Sequence, residues 1–153
     1  HYIVQIAQIL GAKRVITSAS KDEGIRILQE QYKISDVINH AKENMVERVM
    51  AMTNGEGVDI VYDATYLPSS MAQSIQTVKP GGHWIVLGHF GAEGSEQAQM
   101  VAERKAHLVH ADLGRYWLGA ERSQLKTLVR EPLIKAAQWI AEGKLKPYIN
   151  QTI

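Results

Sequence analysis

The sequence predicts an α/β protein built on a doubly wound parallel sheet. Three observations carry that prediction. Short β-branched apolar runs alternate with stretches of helical spacing along the whole chain. One strand-helix-strand unit is complete within Gly57 to Gly88, and that order demands a parallel crossover. The apolar runs also end in small residues, at the edge where open parallel sheets bind ligands.

In the central unit, Gly57-Val58-Asp59-Ile60-Val61-Tyr62-Asp63-Ala64-Thr65 reads as a strand. Met71, Ala72, Ile75 and Val78 keep helical spacing. Lys79-Pro80-Gly81-Gly82 reads as a turn, and His83 to Gly88 as the next strand. Asp63-Ala64-Thr65 and Leu87-Gly88-His89 should therefore lie side by side on the binding edge.

The other elements follow in order. Ile3, Val4, Ala7 and Leu10 predict a helix closed by Gly11. Arg14-Val15-Ile16-Thr17-Ser18 predicts a strand buried on both faces. Ser20-Lys21-Asp22-Glu23 reads as a capping box opening a helix to about Gln31. Asp36-Val37-Ile38-Asn39-His40 predicts a short strand, and Met45, Val46, Val49 and Met50 stripe a helix over Lys42 to Met52. Beyond a loop from Gly91 to Gly94, Ser95 to Arg104 reads as a short helix and His107 to Ala111 as a strand. Leu125, Leu128, Val129, Leu133, Ala136, Ala137 and Ile140 keep helical spacing to Gly143, with Pro132 expected to break or kink the helix, or to start a second one.

Bulk properties narrow the function classes. A chain of 153 residues suffices for one domain that buries roughly 70% of its unfolded surface. A net charge of +1 gives no electrostatic case for nucleic acid or an anionic membrane. No apolar run reaches the roughly 20 residues of a membrane span. The absence of cysteine excludes disulfides and thiolate metal sites within this stretch and leans towards a cytoplasmic location. His1 is not an initiator Met, there is no signal-peptide pattern, and the chain opens inside a helical pattern, so a fragment is expected.

The segment from His1 to Lys13, Val15-Ile16-Thr17-Ser18-Ala19-Ser20-Lys21, Asp36 to His40, Thr53 to Asp63, Lys79-Pro80-Gly81-Gly82 and Ala141-Glu142-Gly143-Lys144-Leu145-Lys146-Pro147 occur in a fixed order and spacing. That set resembles the cofactor domain of the medium-chain dehydrogenase/reductases, in particular the zinc-free quinone oxidoreductase branch. The likeness covers most of the chain and is weakest from Ala92 to Ser123. It implies a Rossmann-type sheet truncated before its first strand and glycine loop, with residues 1–153 a partial dinucleotide-binding domain and the catalytic domain absent. In the family's strand order, 3-2-1-4-5-6, the missing strand is central, so a gap is expected between the second and fourth strands.

The resemblance also assigns roles. An acidic residue at the end of the second strand accepts the ribose 2′-hydroxyl of NAD and repels a 2′-phosphate. That position is Ala19, and Ser18, Ser20 and Lys21 surround it with donors and positive charge, which implies NADPH. The bland alternative is that Ser20 only caps a helix and Lys21 is a solvated charge. His40 ends the neighbouring strand, near the adenine or the 2′-phosphate, or is a plain surface residue. Ala64 and Thr65 would let the cofactor approach the backbone closely, although Tyr66-Leu67-Pro68 follow where the family has small residues or glycine. Gly88 would face the nicotinamide, and His89 either lines that pocket or faces solvent.

Some constellations are set aside. Asp59 and Asp63 share a strand face but lie about 13 Å apart, too far to share a proton. His107 and His110 point to opposite faces of a strand and have no third ligand, so no metal site is expected, and no catalytic residue is assigned. Trp84, Trp117 and Trp139 are expected in the core or an interface. The resemblance implies a homodimer through the region from Ala106 to Leu113, with Tyr116 and Trp117 beyond, and a small-molecule substrate such as a quinone or enone. An S-adenosylmethionine-dependent methyltransferase is the alternative enzyme, because the Val58 to Asp63 and Val78 to Gly82 runs recur there; Ala19 and the Ala141 to Pro147 segment argue against it. A non-catalytic Rossmann binding module is the third reading.

Overall fold

A computed structural model of the chain describes residues 1–87, 96–111 and 122–149; for residues 97 and 122–127 it describes the backbone alone. Gly88, His89, Trp117 and the end of the expected interface region lie outside the described residues. The strands form two separate parallel sheets, and the chain divides into two compact units, one of residues His1–Glu43 with Tyr116–Ile153 and one of Asn44–Arg115.

In the first unit, helix α1 (Tyr2–Ile9) leads to strand β1 (Ile16–Ala19), helix α2 (Asp22–Glu30) and strand β2 (Asp36–Asn39). Strands β1 and β2 pair in parallel from Ile16↔Asp36 to Ala19↔Asn39. Val4, Tyr32 and Ile34 are buried together, with Val15, Ile27, Leu28, Val37 and Tyr148 packed on them. Buried Gln5 fastens the C-terminal segment: its Nε2 donates to the Lys146 carbonyl at 3.0 Å and its Oε1 accepts from the Lys146 amide at 2.8 Å. That side-chain amide satisfies both backbone groups of one residue, as a neighbouring strand would.

Three expectations for this unit are corrected. Strand β1 begins at Ile16 and is half-buried at most; among the described residues β2 is its one partner in the sheet. The capping box does not form: α2 starts at Asp22, Lys21 takes the N-cap position in extended conformation, and no side chain caps the helix. Helix α6 (Arg122–Ala141) runs through Pro132 without interruption. Leu128, whose carbonyl proline leaves without a donor, is exposed, so water can satisfy it. Leu128, Leu133 and Ile140 of its apolar stripe are exposed, and Lys135 Nζ lies 5.3 Å from the half-buried Trp139 ring.

The second unit holds helix α3 (Met45–Met52), strand β3 (Val58–Asp63), helix α4 (Pro68–Thr77), strand β4 (Val78–Leu87), helix α5 (Glu96–Arg104) and strand β5 (His107–Ala111). Its sheet has the order β3-β4-β5, parallel throughout. Helix α3 starts at Met45 rather than Lys42, because the Asn44 side chain accepts the amides of Val46 and Glu47. Met71, Ile75, Val78, Trp84 and Val86 form the buried core, with Val61, Met100, Val101, Ala106 and Leu108 against it. Ile60, Tyr62 and Val109 are exposed.

The Pro-Gly-Gly segment is not a turn. Val78 opens β4 instead of closing α4, and Lys79 to Gly82 remain in the strand. The register advances from Val58↔Val78 to Ile60↔His83, so two steps on β3 face five on β4, a bulge of three extra residues. The bulge brings backbones into close approach. A Cβ on Gly82 would lie 2.8 Å from the Asp59 carbonyl oxygen, and one on Gly57 2.6 Å from that of Thr77; only glycine fits. Arg104 Nη2 satisfies the carbonyls of Gln76 and Val78, at 2.5 and 2.9 Å, where α4 passes directly into β4.

Candidate functional site: two strand ends

The predicted site residues fall into two groups, one in each unit. At the end of the β1–β2 pair, Ala19 faces Asn39 in register, and the His40 amide donates to the Ala19 carbonyl at 3.2 Å. The structure thus brings His40 against Ala19, as expected. Ser18, Ser20, Lys21 and His40 are exposed and Ala19 is half-buried. The chain beyond β2 is wound around Asn39: its carbonyl accepts the Lys42 and Glu43 amides, both at 2.9 Å, and its Oδ1 accepts the Ala41 amide at 3.1 Å. Asp22, in the first turn of α2, pairs with Lys42 Nζ at 3.3 Å, so a cation answers that negative charge beside the donors.

No acidic side chain stands at Ala19 itself, and the first turn of α2 begins three residues later, at Asp22. Helix-opening amides, two hydroxyls and Lys21 make a donor set suited to an anion. Asp36, at the opposite end of β2, is held below the usual carboxylate range by its 2.6 Å hydrogen bond from Arg14, against a smaller upward push from burial.

The end of β3 is built differently. Ala64 and Thr65 are exposed, as a close-approach surface requires, while Asp63 beneath them is 3% exposed. Asp63 Oδ1 accepts the Thr65 amide at 3.0 Å and the Thr65 hydroxyl at 2.7 Å. Its Oδ2 accepts the Ser70 hydroxyl at 3.1 Å and the Ser74 hydroxyl at 2.7 Å, and Ser74 Oγ in turn accepts the Trp84 indole N–H at 3.0 Å. Burial pushes the Asp63 carboxyl up, but the combined donors from Thr65, Ser74 and Ser70 outweigh it and hold it below the usual range. Tyr66 follows in the left-handed region at φ 59°.

This network escaped the sequence reading, which placed Asp63 on the binding edge and weighed its carboxylate only against that of Asp59. Asp59 instead pairs with Lys79, and the two carboxylates sit in unlike surroundings, one exposed and one buried. The available signal was Ser70 and Ser74, one helical turn apart on the helix that follows Asp63. His107 stacks at a tilt on His83, 5.2 Å between ring centroids, and among the described residues no three His, Asp or Glu converge on a metal position. Trp84 is fully buried in the core, as expected. Among the described residues no helix is long and apolar enough to cross a membrane.

Comparison with known proteins decides the family. Residues 1–131 match the family described as zinc-binding dehydrogenase. The chain belongs to the zinc-binding dehydrogenase family. Among relatives of this family, L-threonine 3-dehydrogenase of Pyrococcus furiosus is 32% identical over 113 residues, 74% of this chain and 32% of that protein. The NADP-dependent isopropanol dehydrogenase of Clostridium beijerinckii is 30% identical over 95 residues, 62% of this chain and 26% of that protein. The crystal structure of the CurK enoyl reductase superposes with a TM-score of 0.73 at 26% identity, covering 98% of this chain and 42% of that one. The chain spans about a third of the length of the curated relatives it matches. The family match favours a dehydrogenase over the methyltransferase alternative.

Proposed function

We propose that residues 1–153 are the cofactor-binding part of an NADPH-dependent oxidoreductase that reduces quinones, enones or related carbonyl compounds. One observation carries the reading: the β1 end offers Ala19 where an acidic residue would select NAD, with Ser18, Ser20 and Lys21 around it and His40 bonded to it. The NADP-dependent relative and the enoyl reductase among the similar structures support the cofactor and the substrate class. When bound, the nicotinamide supplies the hydride. The chain's own residues bind and orient: Ser18, Ser20 and Lys21 hold the 2′-phosphate, His40 serves the adenosine end, and Ala64 and Thr65, with Gly88 and His89 by the family resemblance alone, serve the nicotinamide. No residue of this stretch is given a proton-transfer role.

The proposal places the protein in the cytoplasm and makes it a homodimer through Ala106 to Leu113. Strand β5 lies at one edge of its sheet, and an open edge is a ready surface for a second strand. Titration calorimetry with NADPH, NADH and S-adenosylmethionine tests the assignment. NADPH should bind at least about tenfold more tightly than NADH, roughly 1.4 kcal/mol; tighter NADH binding overturns it.

A further inference from the structure

We propose that Asp63 is a positioning residue: its carboxylate ties the loop that follows β3 to helix α4, and the loop so held sets how tightly the nicotinamide cofactor binds. The second half rests on the proposed cofactor function; the first does not.

The two oxygens of Asp63 serve two different elements. Oδ1 holds the loop through the Thr65 amide and hydroxyl. The Thr65 hydroxyl, having donated to Oδ1, still accepts the Leu67 amide at 3.3 Å. One carboxylate therefore registers the backbone at both residues 65 and 67. Between them Tyr66 sits at φ 59°, a conformation an aromatic residue keeps only when its surroundings impose it. Oδ2 holds the core through Ser70 and Ser74 of α4, and Ser74 Oγ is fixed in turn by accepting the Trp84 indole N–H.

The four donors are all neutral, so Asp63 is a buried carboxylate held without a salt bridge in this network. Burying such a charge is costly, and a neutral side chain would fill the same space more cheaply. An ionised carboxylate accepts on both oxygens at once and forces every donor to point inward. It suits a joint between a rigid core and an exposed loop. Ala64, Thr65 and Tyr66 are exposed on the far side of that joint, where a ligand would meet them.

The test compares Asp63→Ala, Asp63→Asn and Ser74→Ala with the unaltered protein. NADPH affinity is read by calorimetry, and the Thr65 and Leu67 amides by hydrogen exchange against amides of the β3–β4 ladder. Asp63→Ala should weaken NADPH binding about tenfold and speed exchange at Thr65 and Leu67 at least about tenfold beyond the ladder. Asp63→Asn, with its carbonyl towards Thr65, should stay within about threefold of the parent in both readouts. Ser74→Ala removes one of the two bonds to α4 and leaves that from Ser70; it should lower thermal stability and shift affinity and loop exchange less than Asp63→Ala does. A folded Asp63→Ala protein with parental affinity and loop protection overturns the proposal. Should that variant not fold, Thr65→Val replaces it: it keeps the amide bond but removes the hydroxyl relay, so an unchanged affinity and a protected Leu67 amide overturn the proposal equally. No nucleotide binding by the parent overturns the cofactor reading and the affinity half with it, while loop exchange still decides the anchoring half.

Discussion

At the end of β1, Ala19 is flanked in sequence by exposed Ser18, Ser20 and Lys21 and bonded to His40, and two acidic side chains are held nearby: Asp22 pairs with the solvent-exposed Lys42, and Glu43 accepts the Asn39 amide at 3.2 Å. At the end of β3, a buried carboxylate draws four neutral donors into the core and holds an exposed loop from below. The first arrangement can choose between ligands by charge at little expense to the fold, since exposed pairs contribute little to stability. The second can fix a position but cannot be altered without disturbing what it rests on, because a buried polar network is strong only when every member is satisfied. Under the proposed function, discrimination and precision fall to different strand ends.

Substitutions can break or sharpen that contrast. The largest effect is expected beneath β3: Trp84→Ala removes a fully buried indole and leaves Ser74 without its donor. It should lower unfolding free energy by roughly 3–5 kcal/mol, measured by urea denaturation. At β1, Lys21→Glu should leave that free energy within about 0.5 kcal/mol. It should also abolish most of the preference for NADPH over NADH, a change of roughly tenfold or more, read as the ratio of the two dissociation constants.

Acid separates the two carboxylates that hold their unfolded-state protons less well in the native protein. Both Asp63 and Asp36 have native pKa values below the ordinary value. Each therefore contributes stability that is fully present above the unfolded pKa, near 4, and lost as pH falls through the lower native value. Asp36 is held by the half-exposed Arg14 guanidinium and Asp63 by hydroxyls and an amide. Added salt should therefore shrink the contribution of Asp36 and leave that of Asp63 in place. Acid-unfolding curves of Asp36→Asn and Asp63→Asn at low and high ionic strength would show it; equal salt sensitivity would erase the distinction. The smallest effect is expected from Arg14→Ala, whose urea-denaturation midpoint at neutral pH should stay close to that of the parent because the pair lies at the surface.

The course of the chain was legible wherever a local pattern suffices. The 3.6-residue stripe of Met45, Val46, Val49 and Met50 and the β-branched run at Val58 to Asp63 each mean one thing without knowledge of their neighbours. The misreadings share a cause. Lys79-Pro80-Gly81-Gly82 carries turn residues, yet the β3 backbone and the Lys105 carbonyl, which accepts the Gly81 amide at 2.9 Å, hold it as a bulged strand. Ser20 matches a capping box, yet α2 begins a turn position later, with its first acidic residue drawn to Lys42 across the strand ends.

By itself the sequence determined the alternation of elements, the parallel sense of the strands and the family, because hydrophobic period and residue size act over a few positions. Only the tertiary structure decided what Asp63 does. Its partners come from the loop at Thr65, the helix at Ser70 and Ser74 and, through Ser74, the next strand at Trp84. A buried charge is defined by what surrounds it in three dimensions, and no spacing along the chain states that those donors meet on one carboxylate.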